Sequence, residues 1–152
     1  MANKVKTKTS NRKKSKAKSH TRARRAVAKH SLKKVEHKYV PWHNIPLEEL
    51  NPLLQRQFVV GQEIMLARVL LKKGCIVPEH SHHNEQISIM EQGSAKFVLA
   101  GAERVMTAGE VVRIPPNVPH SVEAIEDCVA LDLFSPRRDD WLRGDDAYLR
   151  AK

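Results

Sequence analysis

The feature that most constrains the fold is a series of short segments rich in valine, isoleucine and leucine between residues 55 and 134. Glycine, proline and charged turns interrupt the series, and no helical periodicity extends through it. Many short strands separated in this way are typical of an all-β sandwich or barrel. We therefore predict strands at 55–60, 63–72, 75–79, 86–91, 94–99, 103–107, 110–114, 119–125 and 128–134.

The segments on either side of this series carry weaker signals. Residues 45–52 are predicted to form a short helical turn bounded by prolines. Asp139 and Asp140 would suit the start of a short helix, since negative charge is favourable near a helix N-terminus. We expect one β-barrel domain over residues 39–152, ending in a short helical tail.

Charge divides the chain near residue 38. Residues 1–38 hold fifteen Lys or Arg and one acid, a net charge of +14, whereas twelve basic and sixteen acidic residues give the remainder −4. The basic segment has too few large apolar residues to offset its ordering entropy, so we predict a disordered arm. Three interpretations stay open: a tail without a specific partner, an arm that binds nucleic acid non-specifically through phosphates, and a targeting peptide.

Other classes of protein receive no support. No apolar run reaches the roughly 18 residues that a membrane-spanning helix needs, and no apolar core of a signal peptide is visible. Cys75 and Cys128 form no disulfide framework, and each is expected to be a small buried apolar residue. We therefore expect no membrane partner and a cytoplasmic location.

Three histidines and a glutamine form a candidate metal site. His80 and His82 would share one face of a strand and could bind one ion. The same alternation places Gln86 beside them and Glu85 opposite, although a turn after His82 could reverse that choice. With His120 these residues would hold one divalent transition metal, such as Ni, Zn, Fe or Mn. The alternative is a surface His-X-His without a metal.

Residues 74–124 resemble the two conserved motifs of the cupin superfamily, in its small single-domain Cupin_2 form. The matching positions are Gly74, His80, His82, Gly93, Gly109, Pro115 and His120. Gln86 takes the place of the usual glutamate and Ala124 that of the final asparagine. Asn117 stands where glycine is usual, and asparagine tolerates positive φ. The resemblance implies a double-stranded β-helix, the cupin jelly-roll barrel, and a homodimer.

The glutamine changes the charge of the predicted site. Three imidazoles and an amide are all neutral, so a bound divalent ion would keep its positive charge. Such an ion would attract an anionic substrate and stabilise a developing enolate or alkoxide oxygen. The alternative is that Gln86 weakens metal binding and leaves a vestigial site.

The segment from Asp132 to Trp141 is similar to that of cupins in the KdgF group, which is linked to pectin degradation. This resemblance implies conversion of 4,5-unsaturated uronate monosaccharides to linear keto forms. Asp132 would move the proton, Arg138 would bind the substrate carboxylate and Phe134 would form a wall of the pocket. The alternative is a structural salt bridge between Asp132 and Arg138, and Arg137 could equally be the outward arginine.

Two classes of function follow. The first is a metal-dependent isomerase or lyase-like enzyme that acts on a small anionic sugar acid. The second is a ligand-binding cupin module whose basic arm binds nucleic acid non-specifically. No helix-turn-helix pattern accompanies the barrel, so we do not expect sequence-specific DNA binding.

Overall fold

Ten β-strands form two antiparallel sheets in the computed structural model, which describes residues 39–150. The predicted arm over residues 1–38 lies outside the described residues. The strands are β1 (Glu48–Asn51), β2 (Leu54–Val60), β3 (Met65–Leu71), β4 (Ile76–His80), β5 (Glu85–Gln92), β6 (Ser94–Leu99), β7 (Ala102–Thr107), β8 (Val111–Ile114), β9 (His120–Ala124) and β10 (Cys128–Ser135). A 3-10 turn (Trp42–Asn44) precedes them, and two short helices, α1 (Asp139–Arg143) and α2 (Ala147–Arg150), follow.

The sheets have the strand orders β1-β2-β3-β10-β5-β8 and β4-β9-β6-β7. The short apolar segments predict such an all-β fold, the cupin resemblance implies this jelly-roll arrangement, and the nine predicted strands are all present. Alternation decides which side chains fill the interior. In β3, for example, Met65 and Ala67 are fully buried whereas Leu66 and Arg68 are half-buried. The core therefore combines residues of both sheets.

The prediction of a helical turn at residues 45–52 is wrong. Residues Glu48–Asn51 form β1, which pairs with β2 and buries Leu50. The prolines at 46 and 52 leave too little chain for a stable helix. Pairing with a neighbouring strand satisfies the backbone instead, and it outweighs the local helix propensity of the Leu-Glu-Glu-Leu run.

Two turns require unusual backbone geometry. Gly93 has a φ of +71°, and an added Cβ would lie 2.3 Å from the carbonyl oxygen of Asp127. Asn117 has a φ of +63°, which confirms the positive φ expected at that position. Asparagine can thus replace glycine in the second motif without loss of the turn.

The C-terminal segment is anchored by four charged side chains, which we call the ion cluster: Glu48, Arg56, Asp146 and Arg150. Arg56 is 1% exposed and binds Glu48 at 2.8 Å and Asp146 at 2.5 Å. Arg150 binds the same two carboxylates at 2.5 and 2.9 Å. The cluster fastens α2 to β1 and β2.

The cysteine prediction is confirmed, since Cys75 and Cys128 are both buried and free. Burial raises the pKa of Cys128 to about 11, so its thiol stays protonated near neutral pH. No helix within residues 39–150 has the length and apolarity to cross a lipid bilayer.

Candidate metal centre

The two sequence motifs meet at a pair of neighbouring strands. His80 ends β4 and His120 begins β9, and the two residues face each other in the register of that pair. His82 lies in the loop after β4, and the Asn117 amide donates to its carbonyl at 2.7 Å. The turn of the second motif thus positions the loop of the first. The structure brings one ring nitrogen of each histidine within 4.8 Å of the others.

Each of the three histidines has its Nδ1 atom against a backbone carbonyl. The contacts are His80 to Pro78 at 2.9 Å, His82 to Asn84 at 3.1 Å and His120 to Val118 at 2.8 Å. A carbonyl oxygen can only accept, so each Nδ1 carries the proton and each Nε2 keeps a lone pair. Backbone contacts of this kind fix the ring tautomer in metal sites.

The local environment keeps the imidazoles neutral. Burial lowers the pKa of both His80 and His82 to about 4, and neighbouring His120 and Arg138 act in the same direction. Burial also lowers the pKa of His120, whose Nε2 atom is fully enclosed and has no partner within the described chain. At neutral pH the three Nε2 lone pairs are therefore available for a ligand.

Gln86 adds an oxygen to this group. Its Oε1 atom lies 3.1 Å from His82 Nε2, and its Nε2 atom donates to Ser88 Oγ at 2.8 Å. Ser88 Oγ in turn donates to Asp132 Oδ1 at 2.5 Å. An ionised carboxylate can only accept, so this chain of hydrogen bonds directs the amide oxygen towards His82.

Two acceptors, His82 Nε2 and Gln86 Oε1, thus face each other without a proton between them. A bound cation would satisfy both, together with the enclosed His120 Nε2. Three imidazole nitrogens and an amide oxygen suit Ni, Zn, Fe and Mn alike. The residues present therefore fit a divalent transition metal.

Gln86 faces the histidines as predicted, but not because one strand alternates from His82 to Gln86. The strand does not run through His82 to Gln86, because residues 81–84 leave the sheet before β5 begins. Alternation within β5 itself turns Gln86 and Ser88 inward. Glu85 lies on the outer face, where it pairs with Arg113.

A cavity of about 60 Å³ lies between candidate metal ligands and the three residues that are predicted to act on substrate. Asp132, Phe134 and Arg138 line it together with His80 and His120. Protein surrounds Asp132 closely, but its side chain borders the cavity. Burial raises the pKa of Asp132 to about 6, although hydrogen bonds from Ser88 and Gln86 favour the ionised form.

Arg138 is buried, and it does not form the structural salt bridge with Asp132 that was the alternative to a role in substrate binding. It pairs with Asp140 through Nε at 2.9 Å and Nη2 at 2.7 Å, and no salt bridge joins it to Asp132 within residues 39–150. Burial would lower the pKa of Arg138, but Asp140 and Tyr148 raise it. Arg137 is the outward arginine and binds Asp139.

Tyr148 in α2 is part of this site and was missed by the sequence analysis. Its ring stacks on His80 with centroids 4.5 Å apart and an angle of 29°. Its hydroxyl accepts a hydrogen bond from Arg138 Nη2 at 3.0 Å. Tyr148 lies outside the recognised motifs, and the sequence around a lone aromatic residue in a charged tail does not indicate that it packs against the site.

Comparisons with known proteins agree with this geometry. The family model for the cupin domain (Cupin_2) matches residues 67–134. The solved structure of KdgF from Halomonas sp. is 28% identical with a TM-score of 0.67, and the match covers 70% of this chain and 99% of KdgF. An RmlC-like cupin from Shewanella frigidimarina is 26% identical with a TM-score of 0.66, over 70% of this chain and 96% of that one.

A curated relative is similar over part of its length. Mannose-1-phosphate guanylyltransferase of Salmonella montevideo is 31% identical over 87 residues, which are 57% of this chain and 18% of that enzyme. The chain therefore spans less than a fifth of this relative. Residues 67–134 therefore match a cupin domain, and the described chain resembles KdgF in its fold.

Proposed function

We propose that the chain is a metal-dependent cupin enzyme that converts a 4,5-unsaturated uronate into its linear keto form. The observation that supports this most is that Asp132 borders the same cavity as Arg138 and two of the three histidines. A proton carrier, a set of neutral metal ligands and a guanidinium group thus surround one small space. The ring-opened unsaturated uronate is an enol that carries a carboxylate, and it needs these three kinds of group.

The metal ligands in this proposal are His80, His82, His120 and Gln86. A divalent ion held there would supply Lewis-acid stabilisation of negative charge on a substrate oxygen. Because all four ligands are neutral, they would not repel an anionic substrate. The barrel domain has a small net negative charge, which makes such a local centre of positive charge more useful for attracting an anion.

Arg138 is the proposed contact for the substrate carboxylate. Asp140 holds its Nε and Nη2 atoms, which fixes the plane of the guanidinium group and leaves Nη1 for the substrate. Guanidinium groups bind carboxylates with directional hydrogen bonds that a lysine does not reproduce. Phe134, whose ring meets His82 edge to face at 5.7 Å, would form an apolar wall beside it.

Asp132 is the proposed proton carrier. Ketonisation adds a proton to the alkene carbon and removes one from the enol oxygen, so the atoms balance without another reactant. A carboxyl group with a pKa near 6 can donate or accept a proton at neutral pH. Ser88 holds Asp132 Oδ1 and so fixes the position of the carboxyl group.

The test uses the purified full chain and follows the ultraviolet absorbance of an unsaturated uronate. We expect acceleration by the metal-loaded protein, loss of activity with a chelator, and recovery when metal returns. His82→Ala should abolish activity, whereas His83→Ala, at the exposed neighbouring histidine, should not. Asp132→Asn should lower the rate by about 10²- to 10⁴-fold. No acceleration with the site fully loaded would refute the proposal.

Three further expectations belong with this proposal. A homodimer and a cytoplasmic location are typical of such a small cupin enzyme. The arm at residues 1–38 is proposed as an accessory that binds nucleic acid non-specifically, with steep salt dependence. Light scattering tests the dimer. Unchanged nucleic-acid affinity after deletion of residues 1–38 would refute the role of the arm.

A further inference from the structure

We propose that Tyr148 is a substrate-binding residue whose hydroxyl donates a hydrogen bond to the carboxylate of the sugar acid beside Arg138. This inference rests on the proposed function, because it concerns the same cavity. It extends that function to the C-terminal segment, which lies outside the motifs that identify the family.

The hydrogen bond from Arg138 leaves the proton of the Tyr148 hydroxyl unused. Arg138 Nη2 can only donate, so the Tyr148 hydroxyl accepts from it at 3.0 Å. Within residues 39–150 the hydroxyl makes no other hydrogen bond. Its own proton is therefore free to be donated to a ligand in the cavity that Tyr148 borders.

The Tyr148 hydroxyl is held in place before any ligand arrives. The Tyr148 ring stacks on His80, and the ion cluster fastens α2 on both sides of it. Asn51 Nδ2 also donates to the Leu149 carbonyl at 2.8 Å. A donor that is fixed in advance loses little conformational entropy on binding.

The local charge also favours a second hydrogen-bond donor beside Arg138. Asp140 offsets much of the charge of Arg138, so the guanidinium group alone attracts an anion less strongly than a free arginine would. A phenol hydroxyl adds a donor without adding negative charge. The Tyr148 hydroxyl and Arg138 Nη1 together supply two donors, which match the two oxygens of a carboxylate.

The test compares Tyr148→Phe with wild-type protein, both as metal-loaded full-length chains. Phenylalanine keeps the ring on His80 and removes the hydroxyl alone. Galacturonate, a saturated uronate, serves as a non-reacting probe in titration calorimetry, and galactose is the uncharged control. We expect galacturonate to bind about tenfold more weakly to the variant, since one hydrogen bond to a charged group is lost. KM for the unsaturated uronate should rise about tenfold as well.

Metal content and the thermal midpoint should stay at wild-type values. Tyr39→Phe is the matched control, because Tyr39 is 92% exposed and is the other tyrosine in the chain. Equal galacturonate affinity in wild type and Tyr148→Phe would overturn the inference. Loss of metal from Tyr148→Phe would also count against it, because the hydroxyl would then support His80 instead of the substrate.

The outcomes separate this inference from the proposed reaction. Turnover by wild type with unchanged KM in Tyr148→Phe would refute the role of Tyr148 alone. Tighter galacturonate binding by wild type than by the variant, without turnover of unsaturated uronates, would refute the reaction and support Tyr148 as a carboxylate-binding residue.

Discussion

Replacement of Ser88 by alanine tests whether the hydrogen-bond chain from Asp132 orients a metal ligand. The serine joins Gln86 Nε2 at 2.8 Å to Asp132 Oδ1 at 2.5 Å, and it is fully buried. Without it the amide of Gln86 is free to turn. Its NH₂ group would then face His82 Nε2 and form a hydrogen bond where two acceptors faced each other.

Metal binding to Ser88→Ala would first have to turn the Gln86 amide back, and the cost of this turn sets the loss of metal affinity. The turned amide gains a hydrogen bond worth about 1 kcal/mol, which is lost again when the oxygen returns to the metal. Loss of a partner behind a ligand typically lowers metal affinity 10- to 100-fold. We therefore expect Ser88→Ala to weaken metal binding by about 1.4–2.7 kcal/mol.

Competition with a chromophoric chelator measures this affinity directly. Ser94→Ala is the matched control, since Ser94 is also buried but lies in the other sheet and donates to Glu126. The pH profile gives a second readout. The hydrogen bond from Ser88 favours ionised Asp132, so its loss should raise the pKa of Asp132 and move the acid limb of activity to higher pH. Wild-type metal affinity in Ser88→Ala would refute the reasoning.

Three other predictions concern stability. Gly93→Ala should cost at least about 3 kcal/mol, because a Cβ there would clash with the Asp127 carbonyl in addition to the cost of positive φ. Asp146→Asn should cost about 3 kcal/mol, because it removes a buried partner of two arginines. In metal-free protein, the free energy of unfolding should fall as pH drops from about 6.5 to about 4, because His80 and His82 resist protonation only when folded.

Urea unfolding checks all three. Gly101→Ala is the control for the first variant, since its φ is also positive but nothing lies within 4 Å of an added Cβ. Asp145→Asn, at an exposed carboxylate, is the control for the second. Equal losses in the two glycine variants would contradict the packing argument, and equal losses in the two aspartate variants would contradict the argument from buried ion pairs. A flat stability profile between pH 4 and 6.5 would contradict the third prediction.

Most of the barrel could be predicted because its strands are short, apolar and bounded by turn residues. The strand β1 could not, because Leu-Glu-Glu-Leu carries no β pattern and becomes a strand only through pairing with β2. Its second role, which is to supply Glu48 to the ion cluster, depends in part on Arg150, which is about a hundred residues away.

The sequence predicts the metal ligands of the candidate site, but it predicts few of the residues that hold the site in place. His80, His82, Gln86 and His120 follow from motif spacing. Ser88 shares a face with Gln86, but its bond to Asp132 depends on pairing between β5 and β10. Likewise, Asp140 and Tyr148 reach Arg138 because the chain turns back after β10, and local sequence does not encode that return.

The order of the strands also has a consequence for synthesis of the protein. β10 is the last strand made, yet it lies between β3 and β5 in the larger sheet. Until residues 128–135 leave the ribosome, those two strands present unpaired edges that invite aggregation. We therefore expect that substitutions in β10 lower the soluble yield at high temperature before they measurably weaken the purified protein. Slow translation downstream of β5 would prolong the same exposure.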